Sequence, residues 1–174
     1  MAMTKDLFEV VPSLPKRPDN YKRGVSNRNI GINRKWYEGN ASDGKHYWLT
    51  PPALMSSLQS EFNFDFDPCP FPLPNGFNGL EEEWGKSNYV NPPFGSIMVN
   101  GKKVGPTAWA RKCIEQFKKG NRVVMVYPID KWVMAMLEAG ATVRNLGDVR
   151  WCSTEDGSQG PGTGRHVAAF ILTP

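Results

Sequence analysis

Val123-Val124-Met125-Val126-Tyr127 is an unbroken apolar run, and its reading decides the fold. A strand with one wet face alternates apolar and polar residues. A run with no polar position reads instead as a strand covered on both faces, the usual situation of a central strand between layers of helices. Just upstream, Thr107 is placed to cap an amphipathic helix. Trp109, Cys113 and Phe117 line one side of it, Arg111, Lys112, Lys118 and Lys119 the other, and Gly120 stops it. Just downstream, Asp130 is placed to cap a helix through Trp132, Met136 and Leu137 that ends at Gly140. Helix, buried strand, helix is the rhythm of an α/β open sheet with largely parallel pairing.

The pattern continues outward in both directions. Thr50 followed by Pro51 and Pro52 reads as a helix start, a hydroxyl cap and then prolines whose missing N–H is harmless in the first turn. Leu54, Met55, Leu58 and Phe62 follow at helical spacing. Phe62 to Asp67 alternates apolar and polar, the strand period, and Pro68 ends it. A short strand over Ser87–Val90 feeds into Asn91-Pro92-Pro93-Phe94. The stretch from Ser96 to Pro106 is a hairpin turning at Asn100-Gly101. Strands are expected near Thr142–Leu146, Val149–Cys152 and Val167–Leu172.

A chain of 174 residues has room for one compact domain with a real core. The boundary is drawn at residue 45. Residues 1–45 are rich in Pro, Gly and Asn, hold no sustained period, and carry the whole net charge of +4; residues 46–174 balance their charges. This reads as a basic, extended or partly disordered arm, either a solvated tail or a segment drawn to a polyanion. No apolar stretch approaches the ~20 residues of a membrane span, and no basic-then-apolar leader opens the chain. Three separated cysteines and two histidines offer no metal-ligand spacing. A reduced, cytoplasmic protein without metal is the expectation.

Ligands of open α/β sheets bind beyond the carboxyl ends of the strands. Two such ends carry unusual residues, Asp67-Pro68-Cys69 and Asn91-Pro92-Pro93-Phe94. Each proline fixes its own φ and lacks an N–H, so the second motif is a stiff turn. The Asn91 side chain and the Pro92 carbonyl are acceptors that match the two hydrogens of a primary amine, and Phe94 is a platform for a flat base. Acceptors holding an aryl amine favour the positive charge it gains on attacking a methyl group, and they need no general base near neutral pH. The plainer alternative is a proline-rich turn that merely ends a strand.

The ordered set Trp48-Leu49-Thr50-Pro51, Phe64-Asp65-Phe66-Asp67-Pro68-Cys69, Gly79-Leu80 with Trp84, Asn91-Pro92-Pro93-Phe94, Trp109-Ala110-Arg111-Lys112 and Tyr127-Pro128 resembles the phage-type DNA N6-adenine methyltransferases. The likeness spans residues 46–172. It implies a Rossmann-like class I methyltransferase sheet, largely parallel with an antiparallel C-terminal strand, using S-adenosyl-L-methionine on DNA in a host cytoplasm. It further implies that Asn91, Pro92 and Phe94 hold a flipped adenine. Trp48, Thr50, Pro51, Asp67, Cys69 and Asn91 would touch the cofactor, Asp67 through its amine or ribose. The alternative for Asp67 is a loop cap, and Asp65, on the opposite strand face, is the weaker candidate. Two positions depart from the family: Pro70-Phe71-Pro72-Leu73-Pro74 stands where a Gly-x-Gly turn is usual, and Gly147-Asp148 where Gly-Arg is usual, with Arg150 the replacement.

A duplex base must be flipped to reach such a pocket, at a cost of a few kcal/mol that phosphate contacts offset. Lys102 and Lys103 on the hairpin, Arg150, and Arg165 beside the Gly-rich loop are the expected DNA contacts. No segment is long enough for a separate recognition domain, so short or relaxed specificity is expected. Three alternatives keep the fold and cofactor: methylation of N4-cytosine, RNA adenine or protein glutamine. A fourth is an inactive nucleic-acid-binding relative.

Overall fold

The computed structural model describes residues 46–99 and 101–174. The basic arm and Asn100 lie outside the described residues. In chain order the elements are α1 (Pro52–Phe62), β1 (Ser87–Val90), β2 (Ile97–Val99), β3 (Lys102–Val104), α2 (Pro106–Lys118), β4 (Arg122–Pro128), α3 (Val133–Glu138), β5 (Thr142–Gly147) and β6 (Val167–Leu172).

The chain forms a mixed α/β sheet in the order β1-β4-β6-β5. β1 and β4 are parallel, with Ser87 opposite Arg122 and Val90 opposite Met125. β6 is antiparallel to β4 and to β5. β1, β4 and β5 therefore share one direction, and β6 alone is reversed. The expected antiparallel C-terminal strand is present, but it lies between β4 and β5. That position makes two of the three ladders antiparallel, so the pairing is less parallel than the sequence pattern predicts. Beyond β1, a single parallel bridge joins Phe66 to Asn88. The alternating stretch before Pro68 is thus one bridge rather than a strand, because Asp65 takes over part of the ladder. Its carboxylate accepts the N–H groups of Lys86 and Ser87 at 3.1 and 3.0 Å.

β4 is buried along nearly its whole length, as its unbroken apolar run requires. Val123, Met125 and Tyr127 share one core with Trp109, Ala110 and Cys113 of α2 and with Trp132 and Met136. Val124 and Val126 share the other with Leu58 and Phe62 of α1, and with Val149 and Trp151. Successive strand residues point to opposite faces, so α1 covers one side of the sheet while α2 and α3 cover the other.

Several local expectations are corrected. α1 begins after Pro51 with no side-chain cap, since the Thr50 hydroxyl bonds Tyr89 instead. α2 begins after Gly105, which puts the cap position two residues ahead of the expected Thr107. Asp130 serves the N–H of Lys131 rather than capping α3 with its carboxylate, although its carbonyl accepts from Val133 at 3.0 Å. Residues 149–152 hold no strand; Cys152 makes isolated bridges to Leu49 and Gln159. The helix over 52–62, the 97–104 hairpin and the strands over 87–90, 122–128, 142–147 and 167–172 stand as expected. Among the described residues no helix is long and apolar enough to cross a membrane.

Candidate active site

Because Phe66, β1 and β4 run the same way, Asp67, Asn91 and the end of β4 all emerge at one edge of the sheet. Segment 46–50 crosses this edge and ties it together. The Phe94 N–H donates to the His46 carbonyl at 2.6 Å, and the Asn91 Nδ2 donates to the Trp48 carbonyl at 2.7 Å. The Thr50 and Tyr89 hydroxyls bond each other, and Thr50 Oγ1 is also 3.5 Å from Asn91 Nδ2. The sequence elements Trp48-Leu49-Thr50-Pro51 and Asn91-Pro92-Pro93-Phe94 are therefore one structural unit.

The turn is held from below by Tyr127. Its hydroxyl donates to the Pro93 carbonyl and accepts from the Gly95 N–H, both at 3.3 Å. Burial pushes this hydroxyl, and that of Tyr89, well above the ordinary tyrosine range, so both stay protonated donors. Pro92 and Pro93 are buried.

Asn91 carries the decisive feature. A carbonyl can only accept, so the Trp48 carbonyl dictates that Nδ2 faces it and Oδ1 faces away. That Oδ1 is buried and has no hydrogen-bond partner among the described residues. An unpaired buried acceptor costs roughly 1–3 kcal/mol, an expense that a ligand N–H would remove. Beside it, Phe94 meets Tyr127 and Trp151 edge to face, with ring centroids 5.0 and 5.1 Å apart. Phe94, Trp48 and Trp151 line a small recess of about 40 Å³, closed on its other side by Gly160–Thr163. A wider open cleft lies on the other flank of the 46–50 segment, bounded by His46, Tyr47, Pro68, Gly79 and the hairpin residues Ser96–Val99.

Asp67 stands at the end of the neighbouring bridge. Its Oδ1 accepts the Cys69 N–H at 2.8 Å, which is the loop-cap role. The other oxygen has no hydrogen bond among the described residues. Loss of water around the carboxyl pushes its pKa up to about 6 against that single N–H, even though the residue keeps an exposed face. Its charge is felt at Tyr89, which places it toward the Thr50–Asn91 unit. Cys69 departs from expectation: it is buried in the core and its thiol is driven far up by burial, so it acts only through its backbone N–H. Gly79 makes a close backbone approach to Pro68. A methyl added there would sit 1.8 Å from the Pro68 carbonyl oxygen, and the Gly79 carbonyl accepts the Trp84 indole N–H at 2.7 Å.

The four basic residues expected to meet DNA, Lys102, Lys103, Arg150 and Arg165, are all exposed and make no salt bridge among the described residues. Other cations are committed: Arg144 forks onto Glu61 at 2.6 Å, and Lys112 and Lys119 share Glu115. Arg165 is near enough for its charge to reach the Tyr127 hydroxyl. Sequence reasoning missed Tyr127, Tyr89, Trp151 and His46 as parts of the site. For Tyr127 and Tyr89 a signal existed, a tyrosine at or next to the end of a buried strand, where a hydroxyl needs a polar partner. No protein-family model, no curated protein and no solved structure matches this chain.

Proposed function

We propose that the chain is an S-adenosylmethionine-dependent methyltransferase acting on the N6 amine of adenine in DNA, built on a Rossmann-like class I sheet. The observation that carries this reading is the buried, unpaired Oδ1 of Asn91, fixed by Trp48 at a strand's carboxyl end beside an aromatic recess. A single reversed C-terminal strand, β6, also agrees with that sheet.

The residues present fit the cofactor. Asp67 keeps one carboxylate oxygen open for an ammonium or a ribose hydroxyl, next to a cleft walled by Tyr47 and Pro68. S-adenosylmethionine, when bound, supplies an electrophilic methyl on a sulfonium. Asn91 Oδ1 accepts one amine hydrogen and the Pro92 carbonyl the second, which draws the nitrogen lone pair toward attack as positive charge builds on it. Phe94 supplies the face on which the base rests. Tyr127 keeps the turn from yielding as charge develops. The surplus proton leaves to water, as no histidine or carboxylate side chain is bonded to the turn's side chains among the described residues. Lys102, Lys103, Arg150 and Arg165 hold the backbone of the flipped strand, and the small size of the domain favours short or relaxed specificity.

The test is transfer of labelled methyl from the cofactor to unmethylated plasmid DNA by the full chain, with nucleoside analysis of the product. N6-methyladenine is expected. Label in cytosine, in RNA or in protein glutamine instead would replace the substrate, and DNA binding without transfer would leave an inactive relative. Asn91→Ala is expected to lower turnover on the order of 10²-fold, as for loss of one preorganised polar group. It also loses the bond to Trp48, at a stability cost of about 1 kcal/mol. Near-normal turnover in that variant would remove Asn91 from the chemistry.

A further inference from the structure

Trp151 is 2% exposed, lines the same recess as Phe94, and its indole Nε1–H has no hydrogen-bond partner among the described residues. Trp132 shares the orphaned N–H, but its ring meets Tyr127 and Phe170 edge to face in the core and does not line this recess. Asn88 Oδ1 and Arg122 Nε are also unpaired among the described residues, but neither residue lines this recess, which leaves Asn91 Oδ1, an acceptor, and Trp151 Nε1, a donor, on the segments that border it.

Both are fixed to the same short segment. Trp48 holds the Asn91 amide through its carbonyl. The next residue, Leu49, exchanges two backbone hydrogen bonds of 2.9 and 2.8 Å with Cys152, the neighbour of Trp151. The rings of Phe94 and Trp151 meet at 83°. Neither orphan satisfies the other, and the segments that carry them are joined by the Leu49–Cys152 pair and by the Phe94–Trp151 ring contact. A group that presents a donor beside an acceptor answers both at once. In an aminated base this is the exocyclic amine and the ring nitrogen that flanks it. A keto base at the same position offers an acceptor to Asn91 Oδ1, which repels it.

We infer that Trp151 is a specificity-determining residue whose indole N–H donates to a ring nitrogen flanking the reactive amine of the base, an inference that rests on the base-methylation reading above. Buried polar groups left unpaired by the wrong ligand are what make such sites selective. The atom is out of solvent, so the bond forms as the wall of Gly160–Thr163 shifts on entry. Gly162 and its neighbour Gly164 take left-handed φ of 92° and 63° in that stretch.

The experiment uses oligonucleotides in which the target adenine is replaced by 1-deaza-, 7-deaza- or 3-deazaadenine, all of which keep the amine. Methyl transfer is measured with the wild-type chain and with Trp151→Phe, which retains an aromatic ring without the donor. The wild type is expected to lose about 10- to 100-fold in kcat/KM on either the 1-deaza or the 7-deaza base, while the 3-deaza base stays within a few-fold. In Trp151→Phe that penalty is expected to vanish, because adenine itself falls to the level of the analogue. An unchanged penalty in the variant overturns the inference, as do equal wild-type rates on all three analogues, a result that needs no variant to fold. A wild type that transfers no methyl to adenine fails the proposed function itself and takes this assignment with it. Activity on adenine without coupling to Trp151 overturns only the assignment.

Discussion

Replacing Tyr127 by Phe isolates the hydroxyl that braces the proline turn. The ring stays, and with it the edge contacts to Phe94 at 5.0 Å and Trp132 at 5.9 Å. What disappears are two hydrogen bonds, to the Pro93 carbonyl and from the Gly95 N–H, each 3.3 Å long. That length is at the loose end for such bonds, so each is assigned the low end of the usual net contribution, roughly 0.5–1 kcal/mol. The expected loss of stability is therefore about 1–2 kcal/mol, read as a lower denaturant midpoint at unchanged slope. The catalytic effect has a separate origin. With its underside free, the turn can drift by a fraction of an ångström, and misplacement on that scale weakens preorganised contacts. Turnover is expected to fall about 10-fold or more while cofactor affinity, measured by calorimetry, stays within a few-fold. If Tyr127→Phe unfolds at the wild-type midpoint and turns over at the wild-type rate, the hydroxyl does not hold the turn and the reasoning about its rigidity is wrong.

Asp67 has a folded pKa raised to about 6 from 3.8, so its contribution to stability is full below about pH 4 and is lost as pH rises through 6. Affinity for S-adenosylmethionine should move the opposite way, tightening from pH 5 to pH 7 as the carboxylate ionises, and Asp67→Asn should bind weakly with a flat profile; a wild-type profile that is itself flat removes Asp67 from the cofactor site. Gly79→Ala forces a methyl onto the Pro68 carbonyl oxygen and is expected to cost about 3 kcal/mol or more, by denaturant titration. Gly76→Ala meets open space at φ 74° and should cost only about 1 kcal/mol, so equal losses would show that contact is not the cause. Changing Lys102 and Lys103 together to Ala should reduce the slope of log affinity for DNA against log salt by about 2, and an unchanged slope means neither meets a phosphate.

How far the sequence could be read follows from where its signals are local. The burial of β4 was legible because an unbroken apolar run has few other homes, and the hairpin because Asn-Gly selects a tight turn. The place of β6 was not, since strand order depends on contacts between residues tens of positions apart that no local period encodes. Thr50 shows the same limit at a single residue. Its hydroxyl has the right spacing for a helix cap, but the Tyr89 hydroxyl lies within reach across the sheet and takes it. Asp65 and Asp67 differ in their partners: the first spends its oxygens on the backbone of Lys86 and Ser87, while the second accepts only the Cys69 N–H among the described residues. The meeting of Trp48 with Asn91 was implied by resemblance alone; spacing could not supply it.

The choice of asparagine over aspartate at position 91 has a physical reason in this arrangement. The Trp48 carbonyl stands 2.7 Å from Nδ2, and a carboxylate there would set two acceptors against each other. An amide avoids that conflict and keeps a neutral acceptor oxygen, so its hydrogen-bonding state does not vary with pH. The ionisable group stands instead beyond the neighbouring bridge, at Asp67, which keeps an exposed face. A neutral acceptor and an ionisable one thus emerge from neighbouring parallel segments. That division requires the parallel alignment of Phe66, β1 and β4, and the stretch over residues 46–50 then locks the amide's orientation. The fold decision carried by five apolar residues in β4 thereby also fixes the edge at which Asn91 and Asp67 emerge.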